Sequence, residues 1–341
     1  MRKMLTEIIQ RDGSLKVAGC ARDGRDALAK VEALKPDVIT LDIEMPVMDG
    51  YATLVELMKQ GPKRVVMISS VTQSGADITL RCLAAGAIDF VAKPSGSISL
   101  DLERVAAEIV AKIKIAAASS VKADAIVKPR PSIGSPLEAQ STRLTGASAA
   151  GILIVGASTG GPRALHTLVA GLGTGLRIPG IIVQHMPAGF TQSLAKRLND
   201  AGGPRVVEAA DGEALRPGTL LVAPGGHHLT VRADSTVQLS AEPPVHGVRP
   251  SIDVTLDSIA HTWGKRAIAV LLTGMGKDGA RGMKVLRDMG ARTFAEDEST
   301  CVVFGMPKAA WELQAVQSLL PLPELAPAIL SAASETLSAA A

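Results

Sequence analysis

The stretch Gly151–Pro162, GILIVGASTGGP, restricts what this chain can fold into more than any other. Ile152, Leu153, Ile154 and Val155 form a short apolar run of the kind that fills a parallel strand buried on both faces, and Gly156 ends it. Ser158 then falls in a turn. Gly160 and Gly161 let the backbone bend sharply there, and Pro162 suits the first position of a helix predicted over Arg163–Leu172. A hydroxyl between the carboxyl end of a buried strand and the amino end of a helix lies in a crevice, beside unpaired N–H groups that can stabilise an anion. Ser158 is therefore the first candidate nucleophile, with a helix cap as the alternative that this stretch alone leaves open.

The 341 residues have room for two domains, each with its own core. Aromatic residues make up only 2% against 47% hydrophobic, so those cores must be built from Val, Ile, Leu, Ala and Met. A net charge of +3 is too small to point to nucleic acid. No apolar run reaches membrane-spanning length, and MRKMLTEIIQ reads as an amphipathic helix without a signal-peptide core. The expectation is a cytoplasmic protein without membrane insertion. Cys20, Cys82 and Cys301 are odd in number, widely spaced and flanked by apolar residues, which suits reduced core thiols better than a disulfide frame or a zinc site.

Residues 1–115 rotate between helical and strand patterns: helix Met1–Gln10, strand Leu15–Cys20, helix Gly24–Leu34, strand Asp37–Leu41, helix Ala52–Lys59, strand Arg64–Ile68, helix Ile78–Ala85, strand Ala87–Val91 and helix Leu102–Ile115. Such a βα series implies a parallel sheet with helices on both faces and ligands beyond the carboxyl ends of its strands. Asp42 in TLDIEMPVMDG, Ser69 in VVMISS and Lys93 in FVAKPSG fall on those ends. Together they resemble a response-regulator receiver domain, with Asp42 at the phosphoacceptor position, Ser69 at the hydroxyl position and Lys93-Pro94 at the lysine-proline position. A carboxylate that attacks a phosphoryl group, with an ammonium and a hydroxyl to neutralise its oxygens, fits these residue types. The resemblance implies a flavodoxin-like fold and Mg²⁺ for phosphorylation. In that family a first strand ends in the acidic pair that helps to bind Mg²⁺, and Met1 falls after it. The expectation is that Met1 is an internal residue of a longer natural chain, or else that Asp42 phosphorylation is weak.

Residues 116–148 are rich in Pro, Ser and Ala without sustained periodicity, which predicts a linker between a domain over 1–115 and another over 149–335. The second domain repeats the βα alternation. Strands are expected at Gly151–Val155, Gly180–Val183, Thr219–Val222, Ala267–Leu272 and Ala291–Ala295, with a hairpin of His228–Val231 and Thr236–Leu239. Helices are expected at Pro162–Leu172, Thr191–Ala201, Ile252–Thr262, Ala280–Met289 and Pro307–Leu313. The fold class is α/β, two doubly wound parallel sheets, the second a Rossmann-like three-layer α/β/α domain.

Three strand ends of this second domain carry reactive groups: Ser158, His185 and Asp278. A serine needs a base, imidazole suits that role near neutrality, and a carboxylate on the other ring nitrogen fixes its tautomer. Each alone has a bland alternative as a cap or turn residue; their shared edge favours catalysis. GASTG matches the G-x-S-x-G elbow of α/β-hydrolases, but that fold needs its histidine last, and no histidine follows His261. VGASTGGP lacks both GxGxxG and a following GK[ST], so a nucleotide site is not indicated.

GASTGG, QHMPAGFT, RPSIDV, TGMGKDGARG and EDESTCVVFGMP, in that order, resemble the catalytic domain of the chemotaxis protein-glutamate methylesterases, the CheB family. The resemblance implies Ser158, His185 and Asp278 as catalytic residues, the Met275 N–H at the oxyanion position and Thr159 as a neighbouring active-site hydroxyl. It also implies hydrolysis of γ-glutamyl methyl esters on chemoreceptor helices, deamidation of receptor glutamines, and no cofactor or metal for catalysis. The partners it implies are methylated chemoreceptors and the pathway's histidine kinase as phosphodonor, with the unphosphorylated receiver covering the catalytic face. A monomer is expected. The competing classes are a non-catalytic phosphorylation-dependent regulator and a general small-ester hydrolase.

Overall fold

The computed structural model describes residues 2–93, 99–119 and 151–340. Met1, Pro94 and most of the expected linker lie outside them. The first unit runs α1 (Arg2–Arg11), α2 (Gly24–Leu34), β1 (Ile39–Asp42), α3 (Gly50–Lys59), β2 (Val65–Ser69), α4 (Gln73–Ala84), β3 (Asp89–Ala92) and α5 (Ser99–Ala118). Asp23, Asp49 and Thr72 cap α2, α3 and α4, each side chain accepting an N–H of the first turn. The strands form a parallel sheet in the order β1-β2-β3.

The expected strand Leu15–Cys20 is not formed. A strand needs a neighbour to complete its ladder, and among the described residues β1 pairs only with β2, so no strand pairs with this segment, and Cys20 at its end is exposed, not in the core like Cys82 and Cys301. Its apolar alternation is present, but without the partner that would turn it into sheet.

The second unit runs β4 (Ile152–Ala157), α6 (Gly161–Leu172), β5 (Gly180–Gln184), α7 (Thr191–Asn199), β6 (Arg205–Glu208), β7 (Thr219–Val222), β8 (His228–Val231), β9 (Val237–Ser240), α8 (Ile252–Thr262), β10 (Ala267–Leu271), α9 (Ala280–Asp288), β11 (Arg292–Glu296), α10 (Met306–Glu312), β12 (Ser318–Leu320) and α11 (Leu322–Ala340). Seven strands form an all-parallel sheet in the order β12-β11-β10-β4-β5-β7-β6, while β8 and β9 make an antiparallel hairpin. β4, the first of the unit, lies centrally, so the order reverses beside it and the crevice opens at its carboxyl end.

Alternation along the strands divides the core. Leu153, Val155, Ile182, Leu220, Ile268 and Val270 face α6, α7 and α11, while Ile152, Ile154, Ile181, Leu221, Ala267 and Ala269 face α8, α9 and α10. The first of these faces continues into the N-terminal unit. Phe90 of β3 and Phe190 before α7 pack with ring centroids 4.6 Å apart, and Val302 joins the apolar cluster formed by α5 and β2. Among the described residues no helix is long and apolar enough to cross a membrane.

Phe190 is fully buried and joins the two units. Phe190→Ala is expected to lower unfolding free energy by about 3–5 kcal/mol, read from urea denaturation of the full chain.

Candidate active site

Ala157 of β4 lies opposite Gln184 of β5, so Ser158 and His185 are the next pair beyond the ladder. The His185 N–H continues that ladder by donating to Ala157 O at 3.0 Å. Parallel neighbours run about 4.8 Å apart and register partners project to the same face, which sets hydroxyl and imidazole side by side. Gln184 ties the two backbones together, its Nε2 donating to Ser158 O at 2.9 Å and to His185 O at 3.1 Å. No hydrogen bond joins the Ser158 hydroxyl to the imidazole in this state; such bonds often tighten only with substrate bound.

On the other side of β4, the Ser158 N–H donates to Thr273 O at 3.0 Å, just beyond β10. Gly274 follows, and a Cβ there would fall 2.6 Å from Ser158 Cβ, so only glycine lets the TGMG turn approach the serine this closely. The Gly274 carbonyl accepts the Gly305 and Met306 N–H groups at 3.2 and 2.8 Å. The Met275 N–H has no acceptor among the described residues. An unspent backbone donor next in sequence to Gly274, which lies against Ser158, is of the kind that can stabilise an anion.

His185 Nε2 and Asp278 Oδ2 are 2.8 Å apart. Asp278 is buried at the amino end of α8: Ser251 Oγ donates to Oδ1 at 2.8 Å, the Ile252 N–H to Oδ2 at 2.7 Å and the Asp253 N–H to Oδ1 at 3.1 Å. Burial pushes its pKa up, but the His185 bond and these N–H groups more than offset that and hold the carboxyl below its ordinary 3.8. With Nε2 committed to Asp278, Nδ1 is the ring nitrogen left to take a proton. Asp278 also forms, with His246 and Asp253, a group whose ligand atoms lie within 4.8 Å of one another. Both Asp278 oxygens are already saturated by the bonds just given, which suits an orienting carboxylate.

Thr159 takes a different course. It is buried, and its Oγ1 donates to Asp89 Oδ2 of β3 at 2.5 Å, while Lys112 of α5 pairs with the same carboxylate at 3.2 Å. The hydroxyl next in sequence to Ser158 is thus bonded to the N-terminal unit. In that unit Lys93 Nζ lies 2.8 Å from Asp42 and 3.0 Å from Glu44, and these two carboxylates hold its pKa up against the effect of burial. The structure does not bring the Ser69 hydroxyl to this pair: it is fully buried, donates to the Gly75 and Ser70 carbonyls and accepts from Thr79 at 2.6 Å.

Sequence reasoning missed Gln184, Ser251, Thr273 and Asp89. Ser251 carried the one available signal, a serine at a predicted helix start, which indicates a cap and not a bond to Asp278.

The CheB methylesterase family model matches residues 153–329, and the response regulator receiver domain model matches residues 1–103. The chain is 49% identical to a protein-glutamate methylesterase/protein-glutamine glutaminase of Symbiobacterium thermophilum, covering 98% of this chain and 94% of that one. It is 44% identical to the protein of the same name from Halalkalibacterium halodurans, over 97% and 94%. Among solved structures it is similar to the Thermotoga maritima CheB methylesterase catalytic domain, at 41% identity and a TM-score of 0.52, over 53% of this chain and 97% of that one.

Asp278→Asn keeps the shape but offers His185 an amide in place of a carboxylate. Ester hydrolysis is expected to fall about 10⁴-fold, measured as kcat. Because the folded pKa is depressed, the stability contributed by the carboxylate is present above 3.8 and lost as pH falls below it, through the folded value.

Proposed function

The chain belongs to the CheB methylesterase family, and on that premise we propose that Ser158, His185 and Asp278 hydrolyse γ-glutamyl methyl esters on chemoreceptor helices and deamidate receptor glutamines. The observation that carries this reading is the 2.8 Å bond from His185 to the buried Asp278, on an imidazole that lies next in register to Ser158. Ser158 Oγ attacks the γ-carbonyl carbon as His185 Nδ1 takes its proton. The tetrahedral oxyanion is met by the Met275 N–H. As the C–O bond breaks, the imidazolium returns the proton to the leaving oxygen and methanol departs; from a glutamine, ammonia departs instead. Water, deprotonated by the same nitrogen, then releases glutamate from Ser158. The ester step draws on side chains and backbone alone.

The domain limits we propose are a receiver over 1–115, a linker over 116–148 and a catalytic unit over 149–335, with the receiver phosphorylated on Asp42 by the pathway's histidine kinase. Lys93, already paired with Asp42, supports a role in neutralising phosphoryl oxygens. Mg²⁺, the ion of receiver phosphorylation, takes hard oxygen ligands, and the partly exposed Asp42 and Glu44 carboxylates are donors of that kind that would hold it. When bound it would offset the charge of the incoming phosphoryl group.

Regulation by the receiver follows from what the units share. Asp89 and Lys112 draw on Thr159 next to the nucleophile, and Val302, packed against the receiver's apolar cluster, also fills the space against Gly160. The unphosphorylated receiver thereby restrains the catalytic turn. Ser158→Ala is expected to abolish methanol release from methylated receptor while leaving the fold intact; retained release would remove Ser158 from the mechanism. Asp89→Ala is expected to raise the activity of the unphosphorylated chain, by about tenfold or more for a hydrogen bond to a charged group. An unchanged rate would contradict this coupling.

A further inference from the structure

Glu296 ends β11 with its side chain completely buried, and Oε2 accepts the Thr273 N–H at 2.8 Å. Oε1 has no hydrogen-bond partner among the described residues. The Thr300 hydroxyl and Cys301 thiol lie close enough to favour its charged form yet outside bonding geometry. Burial dominates and pushes the carboxyl up to about 7. On stability grounds this is a poor residue for the position, since a buried acid that is paired with no cation among the described residues costs free energy that an apolar side chain would not. What it supplies is a fixed acceptor.

Thr273 is the junction that this acceptor holds. Its carbonyl takes the Ser158 N–H at 3.0 Å, its Oγ1 lies 3.0 Å from Thr159 O, and the same Oγ1 accepts the Val303 N–H at 2.9 Å. Gly274 and Met275 follow directly. The nucleophile turn, the oxyanion turn and the 303–306 segment therefore all meet at one residue, and Glu296 is the side chain that holds its N–H.

We propose that Glu296 is a positioning residue for ester hydrolysis, its Oε2 anchoring Thr273 and through it the spacing between the Ser158 hydroxyl and the Met275 N–H. This rests on the roles given above to Ser158 and Met275. Glu296 touches no substrate; its effect is on how well the oxyanion donor is aimed. Loss of a whole oxyanion donor costs about 10²–10³ in rate, and misaiming one should cost part of that.

The test uses the full chain, with methanol release from methylated chemoreceptor in membrane vesicles and the folded fraction measured for each variant. Glu296→Met fills a similar volume without an acceptor, and Glu296→Gln keeps an acceptor oxygen without the charge. The expected result is a loss in kcat of about 10- to 100-fold for Glu296→Met per folded molecule, with KM unchanged, and a kcat within about twofold of wild type for Glu296→Gln. If Glu296→Met does not fold, Glu296→Asp, whose shorter side chain draws the acceptor back from Thr273, is expected to show the same loss in kcat. A folded Met or Asp variant with wild-type kcat overturns the proposal, and so does a Gln variant as impaired as Met. Failure of the functional reading itself is distinct: the wild-type chain then releases no methanol, or Ser158→Ala releases it normally.

Discussion

The site depends on the register of three parallel strands. β4 lies between β5 and β10, and the pairing Ala157↔Gln184 on one side, with Gly156↔Leu271 on the other, fixes where each chain leaves the sheet. A slip of one residue on either side would turn His185 or Thr273 to the opposite face. The ladder does not stop where the strands do. His185 N–H to Ala157 O and Ser158 N–H to Thr273 O carry it past the last strand residues, so Ser158, His185 and the turn after Thr273 are positioned by backbone bonds and not by loops that must find their own conformation. A site held in this way is pre-organised by the same apolar packing that stabilises the sheet.

Asp278 adds the second constraint. A buried carboxylate is costly unless it is saturated, and here the amino end of α8 meets that cost with the Ser251 hydroxyl and two backbone N–H groups. The His185 bond is the largest of the effects that lower the Asp278 pKa, and the backbone N–H groups add to it, so the imidazole does not have to sustain the carboxylate alone. Glu296 makes a contrast nearby: it accepts the Thr273 N–H, and burial outweighs both that bond and the Thr300 and Cys301 groups beside it, so its pKa rises where that of Asp278 falls. The two acids differ because their surroundings differ, one met by four hydrogen bonds and the other mainly by burial.

Much of this was legible in the sequence because buried parallel strands advertise themselves as short apolar runs, and the polar residue that follows each run lies at the reactive edge. That is how Ser158, His185 and Asp278 were found. Elements whose formation depends on neighbours were not legible. β6 is a four-residue strand with charged ends, β12 has three residues, and α11 is rich in alanine and contains Pro327, so none of them shows a clear period. Leu15–Cys20 failed in the opposite sense, having the pattern of a strand but no partner. Asp89, Ser251, Thr273 and Glu296 act through bonds to segments far away in sequence, Asp89 to a residue 70 positions on, and local spacing cannot signal such bonds.

The contact between Thr159 and Asp89 brings the receiver into the same argument, because the turn that aims the nucleophile also carries the hydroxyl that the receiver holds. In the function proposed for this chain, control and chemistry meet at two adjacent residues, Ser158 and Thr159, and Ser158 becomes covalently acylated. The most direct measurement is rapid acid quench of the full chain mixed with methylated chemoreceptor, followed by mass spectrometry of the proteolytic peptide that contains Ser158. The account predicts a receptor fragment esterified through its γ-glutamyl carbonyl to Ser158. Methanol release with no such adduct, or with the adduct on another residue, would contradict it.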